Sequence, residues 1–522
     1  MCGLSGGMAL KRRSSCDFVD ASSPAGAGAN PGSRTPRRSV GATCSVALSL
    51  ALLIAACAPR IRPSPEHIPP SAHRLAQAIE AILARPELAP THVGLAVWSL
   101  DRREWLYLRE ADKLFVPASN AKVLVAAAAL YALGPSAVFT TTLAADTAQS
   151  DTLLPGNLYL VGGGNPDLST GDLACLAERL RALGIRRVRG RLVLDASRFD
   201  STAFGPGWMW DEGPYAYNAP VNAFMLNGNT VRLTIRPGKA IGDTVRAEVS
   251  PPGAGMSLVV SATTRSDTMS GPPLAVERPG AAFLVRGTMP QSSQPAVLVR
   301  TVPDPVAYAG SVFADALRSA GIAVDSGLTV GASPANGTIL GVAASAPVDV
   351  LVRRFLKESD NLIGETLVKQ LGVAAGAQGS WADGLSAVRR SLAAFAGLDS
   401  TSYRLADGSG LSRYTQVSPR MMVRVIAAAA DEFAIAPEFL SALAVGGVDG
   451  TLAQRLADPG VAGYVRGKSG TMSGVSTLSG VVLASGGERL AFCLMMNGYV
   501  GPAANLRQAQ DEVVAVLRAH LP

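Results

Sequence analysis

The feature that most constrains the fold of this chain is a break in its own periodicity. Residues 149–345 are short β-like runs separated by Gly, Pro, Asn and Asp, whereas the flanking stretches carry longer helical and strand patterns. Before the break, a helical pattern begins near Ala72 (Leu75, Ile79, Ile82, Leu83). A hairpin follows over His92–Leu100 and Trp105–Leu108, then an Ala-rich apolar run, Val123–Leu133, stopped by Gly134-Pro135. After it, helical periods recur over Val348–Leu356, Leu362–Leu371, Leu385–Phe395 and Met421–Ala430. Three strands, Val465–Gly474, Leu478–Ala484 and Leu490–Met496, and a final helix over Gln508–His520 complete the chain. The expected fold class is therefore α+β: an antiparallel sheet flanked by helices and split by an inserted β-rich domain or domains. The expected partition is 72–148 and 346–522 for the two parts of the split unit and 149–345 for the insertion. A β-rich sub-domain is expected over 240–300.

The insertion contains an internal repeat. Leu180-Arg181-Ala182-Leu183-Gly184-Ile185, with Gly190 and Val193, recurs as Leu317-Arg318-Ser319-Ala320-Gly321-Ile322, with Gly327 and Val330. Each copy reads as helix, Gly cap, strand, turn, strand. Two copies are too few for a solenoid and predict two similar units within one domain.

The formal charge of +7 is mostly a property of the N-terminus. Seven Lys/Arg and two Asp/Glu lie in residues 1–60, leaving 40 basic and 38 acidic residues elsewhere. No basic cluster is interleaved with aromatics beyond that point, so no nucleic-acid partner is expected. Arg34, Arg37 and Arg38 precede a short apolar run from Cys44 that ends in Ile54-Ala55-Ala56-Cys57. Basic residues, a run too short to span a bilayer as a helix, and small residues before a Cys describe a secretory signal. They also resemble a bacterial lipoprotein signal with Cys57 as the lipid attachment site; an ordinary signal with a coincidental Cys is the alternative. Residues 1–57 are thus read as leader and 58–71, rich in Pro, as tether. The expected location is outside the cytoplasm, in the periplasm or cell envelope, with membrane contact only through the N-terminal lipid. Residues 1–33 exceed what a signal needs, as a start assigned too far upstream would produce. Beyond the leader only Cys175 and Cys493 remain, which supports neither a disulfide framework nor a zinc site and leaves their pairing open.

Chemistry is narrowed first by what is missing. The four His (His67, His73, His92, His520) lie in the tether, near the termini or at a strand start. The only Gly-x-Ser-x-Gly, Gly3–Gly7, is in the leader. A Ser-His-Asp hydrolase is not available, but a lysine can replace the histidine as base. One of the seven Lys stands three residues after a Ser, in Ser119-Asn120-Ala121-Lys122, where a helix start puts both on one face. Ser359-Asp360-Asn361 precedes a helix, and Lys468-Ser469-Gly470-Thr471 lies on a predicted strand. Singly, each has an ordinary explanation: a surface hydrogen bond, an N-cap, a charged edge strand. In this order, and on these elements, they are the set shared by penicillin-binding proteins and serine β-lactamases.

With these motifs the chain, from about residue 75 onward, resembles the low-molecular-mass penicillin-binding proteins of D-Ala-D-Ala carboxypeptidase/endopeptidase type that carry a large insertion. Gly156–Gly164, Asp407–Arg413 and Gly447–Leu452 add to the likeness, as does the long gap between Lys122 and Ser359. Ser469 stands where many relatives have Thr and keeps the hydroxyl.

The resemblance implies a penicillin-binding/serine β-lactamase-like core that acts on peptidoglycan stem peptides, with β-lactam antibiotics as inhibitors and no metal or organic cofactor. It implies Ser119 as nucleophile and Lys122 as its base, with an amine depressed by burial and by nearby Lys468. Ser359 would relay a proton to the leaving amine and Asn361 hold the substrate amide. Lys468 and Ser469, followed by Gly470, would bind the terminal carboxylate, and the N–H groups of Ser119 and Thr471 would form an oxyanion hole. Asp407–Arg413 receives no chemical role. A β-lactamase or esterase on the same core, and a non-catalytic peptidoglycan-binding protein, stay open as alternatives.

Overall fold

A computed structural model describes residues 72–521. Its central element is a six-stranded antiparallel sheet built from both ends of the chain. The strands are β1 (His92–Ser99), β2 (Glu104–Arg109), β3 (Ala444–Val445), β4 (Val465–Met472), β5 (Val475–Leu483) and β6 (Arg489–Asn497), in the order β3-β4-β5-β6-β1-β2. Pairing of β1 with β6 over His92↔Asn497 to Ser99↔Leu490 closes the split unit across the insertion.

Strand alternation sorts side chains to two apolar layers. Leu490, Phe492, Leu494 and Met496 of β6 join the layer formed by α1 (Ala72–Leu83) and the C-terminal helix Ala504–Ala519. Ala491, Cys493 and Met495 join the layer containing α2 (Ala121–Leu133). Within that layer α2, apolar apart from Lys122, is fully buried from Ala121 to Ala129, as a helix with no solvent-facing polar stripe must be. Around it pack α3 (Val348–Lys357), α4 (Asn361–Ala374), α5 (Trp381–Ala396), α6 (Pro419–Asp431) and α7 (Ala436–Ala442). Cys493 is free and buried in this layer, so it does not pair with Cys175.

The chain leaves and re-enters this unit at neighbouring points. Ser345 N–H donates to Phe139 O (2.8 Å), and the departing strand Thr140–Ala145 pairs antiparallel with the returning strand Thr338–Ala344. Thr140–Ala145 also pairs with Leu158–Gly162. It therefore belongs to the inserted sheet, which begins at residue 140 where the sequence pattern suggested 149. Strand partners are set by long-range pairing, which a local pattern does not reveal. The two repeat copies lie side by side. Arg187–Val188 and Leu192–Asp195 of the first copy pair in parallel with Ala323–Val324 and Leu328–Val330 of the second, and Arg181 Nη1 donates to Ala320 O (2.8 Å). The β-rich stretch expected over 240–300 begins earlier, because Thr230–Arg236 is the middle strand between Arg246–Ser250 and Ala296–Thr301.

The insertion is welded to the split unit by buried polar contacts as well as apolar packing. Phe199, Ala219, Val221, Ala223 and Met225 complete the layer around α2. The Lys369 ammonium on α4 is wholly buried, paired with Asp200, donating to Thr202 O (2.9 Å) and lying 4.1 Å from the centre of the Trp381 ring. Gln370 Nε2 donates to Gly163 O (2.7 Å), and Arg354 pairs with Asp167. Removing one partner of such a pair strands the other. Lys369→Ala is expected to cost about 2–4 kcal/mol in chemical denaturation, with limited proteolysis then cutting first within residues 198–205.

Candidate active site

Four segments far apart in sequence converge where α2 begins. Ala118–Asn120 forms one 3₁₀ turn that runs directly into α2, and Ala118 adopts φ 48°, a left-handed conformation that a side chain resists. Tertiary contacts hold that turn. Asn120, fully buried, donates from Nδ2 to Thr477 Oγ1 (2.6 Å) and accepts from the Ser479 hydroxyl, and Thr477 Oγ1 donates to Pro117 O (2.8 Å). The turn is thus pinned to β5 across β4. Gly470 makes that approach possible: a Cβ there would lie 2.4 Å from Thr477 Oγ1 and 2.7 Å from Pro117 O.

One turn into α2, the Lys122 side chain is completely buried and its Nζ has three neighbours. Ser119 Oγ lies at 2.9 Å, Asn361 Oδ1 at 2.7 Å and Ser409 O at 2.7 Å. Burial pulls its pKa down to about 8, opposed by the carboxylates of Asp407, Glu365 and Asp360. Lys468 is also completely buried, donates to Ser469 O (2.6 Å), and has its pKa pulled well down by burial and then by the charge of Lys122. Burial is the leading cause at both amines, and at Lys468 it is joined by repulsion from the charge of Lys122, an interaction that disfavours charging both amines at once.

Asn361 is the first residue of α4, and its neighbour Asp360 is the cap, accepting from Ile363 N–H (3.2 Å). This frees Asn361 for the site, with its amide fixed at both ends: Oδ1 accepts from Lys122 and Nδ2 donates to Tyr217 O (2.8 Å). Ser359 adopts φ 62° and faces the same cleft. On the opposite side, β3 pairs only with Arg466 and Gly467 of β4, so among the described residues the edge of Ser469–Met472 that faces away from β5 has no strand partner. Ser469 Oγ donates to Thr451 Oγ1 (2.9 Å), and Thr471 is exposed on the cleft wall. The cleft holds about 640 Å³ and is lined by Ser119, Ser359, Asn361 and Thr471, with Met209, Asp211, Glu212 and Tyr217 from the insertion. The sequence-predicted residues Ser119, Lys122, Ser359, Asn361, Lys468, Ser469, Gly470 and Thr471 are thus brought together at or directly beneath one cleft. Cys57 lies outside the described residues.

With this geometry in place, the likeness to known proteins is decisive: the sequence model of the D-Ala-D-Ala carboxypeptidase 3 (S13) family matches residues 75–520. The chain belongs to that family. It is 35% identical over 445 residues to the D-alanyl-D-alanine carboxypeptidase of Actinomadura sp. strain R39, covering 82% of each chain. It is 29% identical to D-alanyl-D-alanine carboxypeptidase DacB of Haemophilus influenzae, over 78% of this chain and 86% of that one. The crystal structure of penicillin binding protein 4 from H. influenzae superposes with a TM-score of 0.76 at 27% identity, covering 84% of this chain and 99% of the other. That protein has also been crystallised with a β-lactam.

This S13 member carries a supporting shell that sequence reasoning left without a role. Segment 406–415 wraps around two buried carboxylates. Glu365 accepts from Trp381 Nε1 (2.7 Å), Gly408 N–H (2.8 Å) and Ser409 N–H (2.7 Å). Asp407 accepts from Ser412 N–H (2.8 Å), Thr415 Oγ1 (3.1 Å) and Trp208 Nε1 (3.1 Å) of the insertion. Together they aim Ser409 O at Lys122. Gly410, at φ 77°, lets the segment pass under the nucleophile turn, since a Cβ would sit 1.9 Å from Ala118 O. Burial and the neighbouring Asp407 push the Glu365 carboxyl up to about 7, against its three donors. Glu365 stands four residues after Asn361, on the same helix face, a spacing the sequence did offer. Tyr217 and Trp208 gave no such signal. In Glu365→Gln an NH₂ must meet an N–H donor at one end, displacing Ser409 O. Acylation by benzylpenicillin, followed by stopped flow, is expected to slow about 10- to 100-fold.

Proposed function

We propose that this chain is a serine D-Ala-D-Ala carboxypeptidase/endopeptidase that cuts peptidoglycan stem peptides through an acyl-enzyme on Ser119. The observation that carries this reading is the surroundings of the Lys122 amine. A neutral amine has two N–H donors and one lone pair. Asn361 Oδ1 and Ser409 O take the two donors, which leaves the lone pair for the Ser119 hydroxyl at 2.9 Å. Lys122 is thereby held as a base ready to receive the serine proton, in a dry setting that favours its neutral form.

Ser119 Oγ attacks the carbonyl between the two D-Ala residues as its proton passes to Lys122. The oxyanion is met by the N–H groups of Ser119 and Thr471, the latter on the uncovered edge of β4. Ser359 carries the proton on to the leaving amine, the C–N bond breaks, and water then hydrolyses the ester to restore Ser119. Asn361 Nδ2 keeps one N–H on Tyr217 O and offers the other to the substrate amide carbonyl. The carboxylate of the last D-Ala is received by Ser469 and Lys468, and its arrival raises the pKa of the Lys468 amine and charges it. β-Lactams acylate Ser119 by presenting the same groups.

The same reading places the enzyme outside the cytoplasm, tethered by a lipid on Cys57 after removal of the leader. It is supported by the Arg34–Arg38 cluster, the apolar run that follows, and the small residues before Cys57. Mass spectrometry of the mature N-terminus distinguishes an acylated Cys57 from an ordinary cleavage product.

Release of free D-Ala from a muropeptide ending in D-Ala-D-Ala is expected from the full chain and not from Ser119→Ala. Turnover of benzylpenicillin with no D-Ala release would identify a β-lactamase, and inertness toward both would identify a binding protein. Because Lys122 acts as the neutral amine, benzylpenicillin acylation should rise with pH through a midpoint near 8 and level off above it. A rate that is flat or falling between pH 6 and 9 would remove Lys122 from the role of base.

A further inference from the structure

The inserted segment 204–217 does more than wall the cleft. Trp208 is anchored by its indole to Asp407, and Tyr217 by its carbonyl to Asn361, so the residues between are tied at both ends along the cleft wall. Between the anchors, Met209–Glu212 forms a turn closed by Glu212 N–H to Met209 O (3.4 Å). Three of its four residues, Met209, Asp211 and Glu212, line the cleft. The fourth, Trp210, stands at the rim with its side chain 95% exposed. A side chain this exposed contributes little to packing, and its place among three cleft-lining residues leaves its indole free to meet a substrate that extends out of the cleft.

We propose that Trp210 is a platform for a sugar ring of the glycan strand, so that the enzyme prefers stem peptides still attached to their N-acetylated sugar. The inference rests on the reading that the cleft takes a stem peptide by its C-terminus. With that end at Ser119, the other end leaves the cleft, and five extended residues reach at most about 17 Å. The sugar joined to the peptide's first residue therefore emerges at the rim. A pyranose presents a flat face of C–H bonds, which stacks on an indole much as a nucleic-acid base does, without requiring a deep pocket. Because both ends of the supporting segment are tied down, little ordering is needed on contact, and the binding adds to kcat/KM from a part of the substrate remote from the scissile bond.

The test compares a disaccharide-pentapeptide with the bare pentapeptide, using the full chain and Trp210→Ala. The expected result is a wild-type kcat/KM about 5- to 20-fold higher for the sugar-bearing substrate, abolished in Trp210→Ala, with the bare-peptide rate unchanged. The unchanged rate serves as the control for folding. A preference that survives the substitution, or its absence in the wild type, overturns the proposal. An equal fall on both substrates also overturns it, by assigning Trp210 to the peptide, for example to an amine on its third residue. If the wild type cuts neither substrate, the peptidase reading itself fails and this proposal with it.

Discussion

The site depends on keeping one amine dry and partnered. Lys122 is buried because α2 is otherwise apolar on every face and must sit inside the molecule, carrying its first turn inward with it. Burial alone would drive the amine far from its ordinary range. The carboxylates of Asp407, Glu365 and Asp360 pull the other way and leave it near 8, where it exchanges a proton at neutral to mildly basic pH. Two fixed acceptors then orient the lone pair. Nucleophile, base and orienting groups come from residues 119, 122, 361 and 409 and share one nitrogen as their meeting point.

That requirement explains features that look unrelated. The glycines at 410 and 470 stand where main chain must pass within contact distance of the nucleophile turn, one beneath it and one beside it. The φ values of Ala118 and Ser359 place departures from relaxed backbone next to the reacting atoms, where surrounding contacts hold them. The Glu365–Asp407 pair is unfavourable in isolation, as buried carboxylates are. It is sustained by at least six donors, and those donors hold segment 406–415 in the shape that offers Ser409 O.

The insertion is part of the same construction. It leaves and returns through adjacent, hydrogen-bonded residues, so it adds little strain to the sheet that the two chain ends build. Through Tyr217 it fixes the amide of Asn361, and through Trp208 it reaches Asp407. Two of its aromatic residues thus take part in positioning groups that lie outside it in sequence. The repeated helix-strand-strand units are its frame, and the segment between them carries its contribution to the cleft.

The sequence by itself determined the class of chemistry and the split α+β layout. Ser119 and Lys122 lie on one helical turn, and the motifs at 359–361 and 468–471 sit at a helix start and on a strand. These relations depend only on local geometry, which neighbouring residues fix. The strand Thr140–Ala145 and the early start of the 230–301 sheet were misjudged because a strand's membership is decided by its partner, and partners are distant in sequence. The same holds within the site. Asp407–Arg413 stood out as a motif but had no legible role, because that role is to present a carbonyl to an amine 287 residues away. Tyr217 and Trp208 act through a main-chain oxygen and an indole N–H on an irregular segment. No spacing rule marks such groups; only the packing of the insertion against α4 and segment 406–415 brings them to the site.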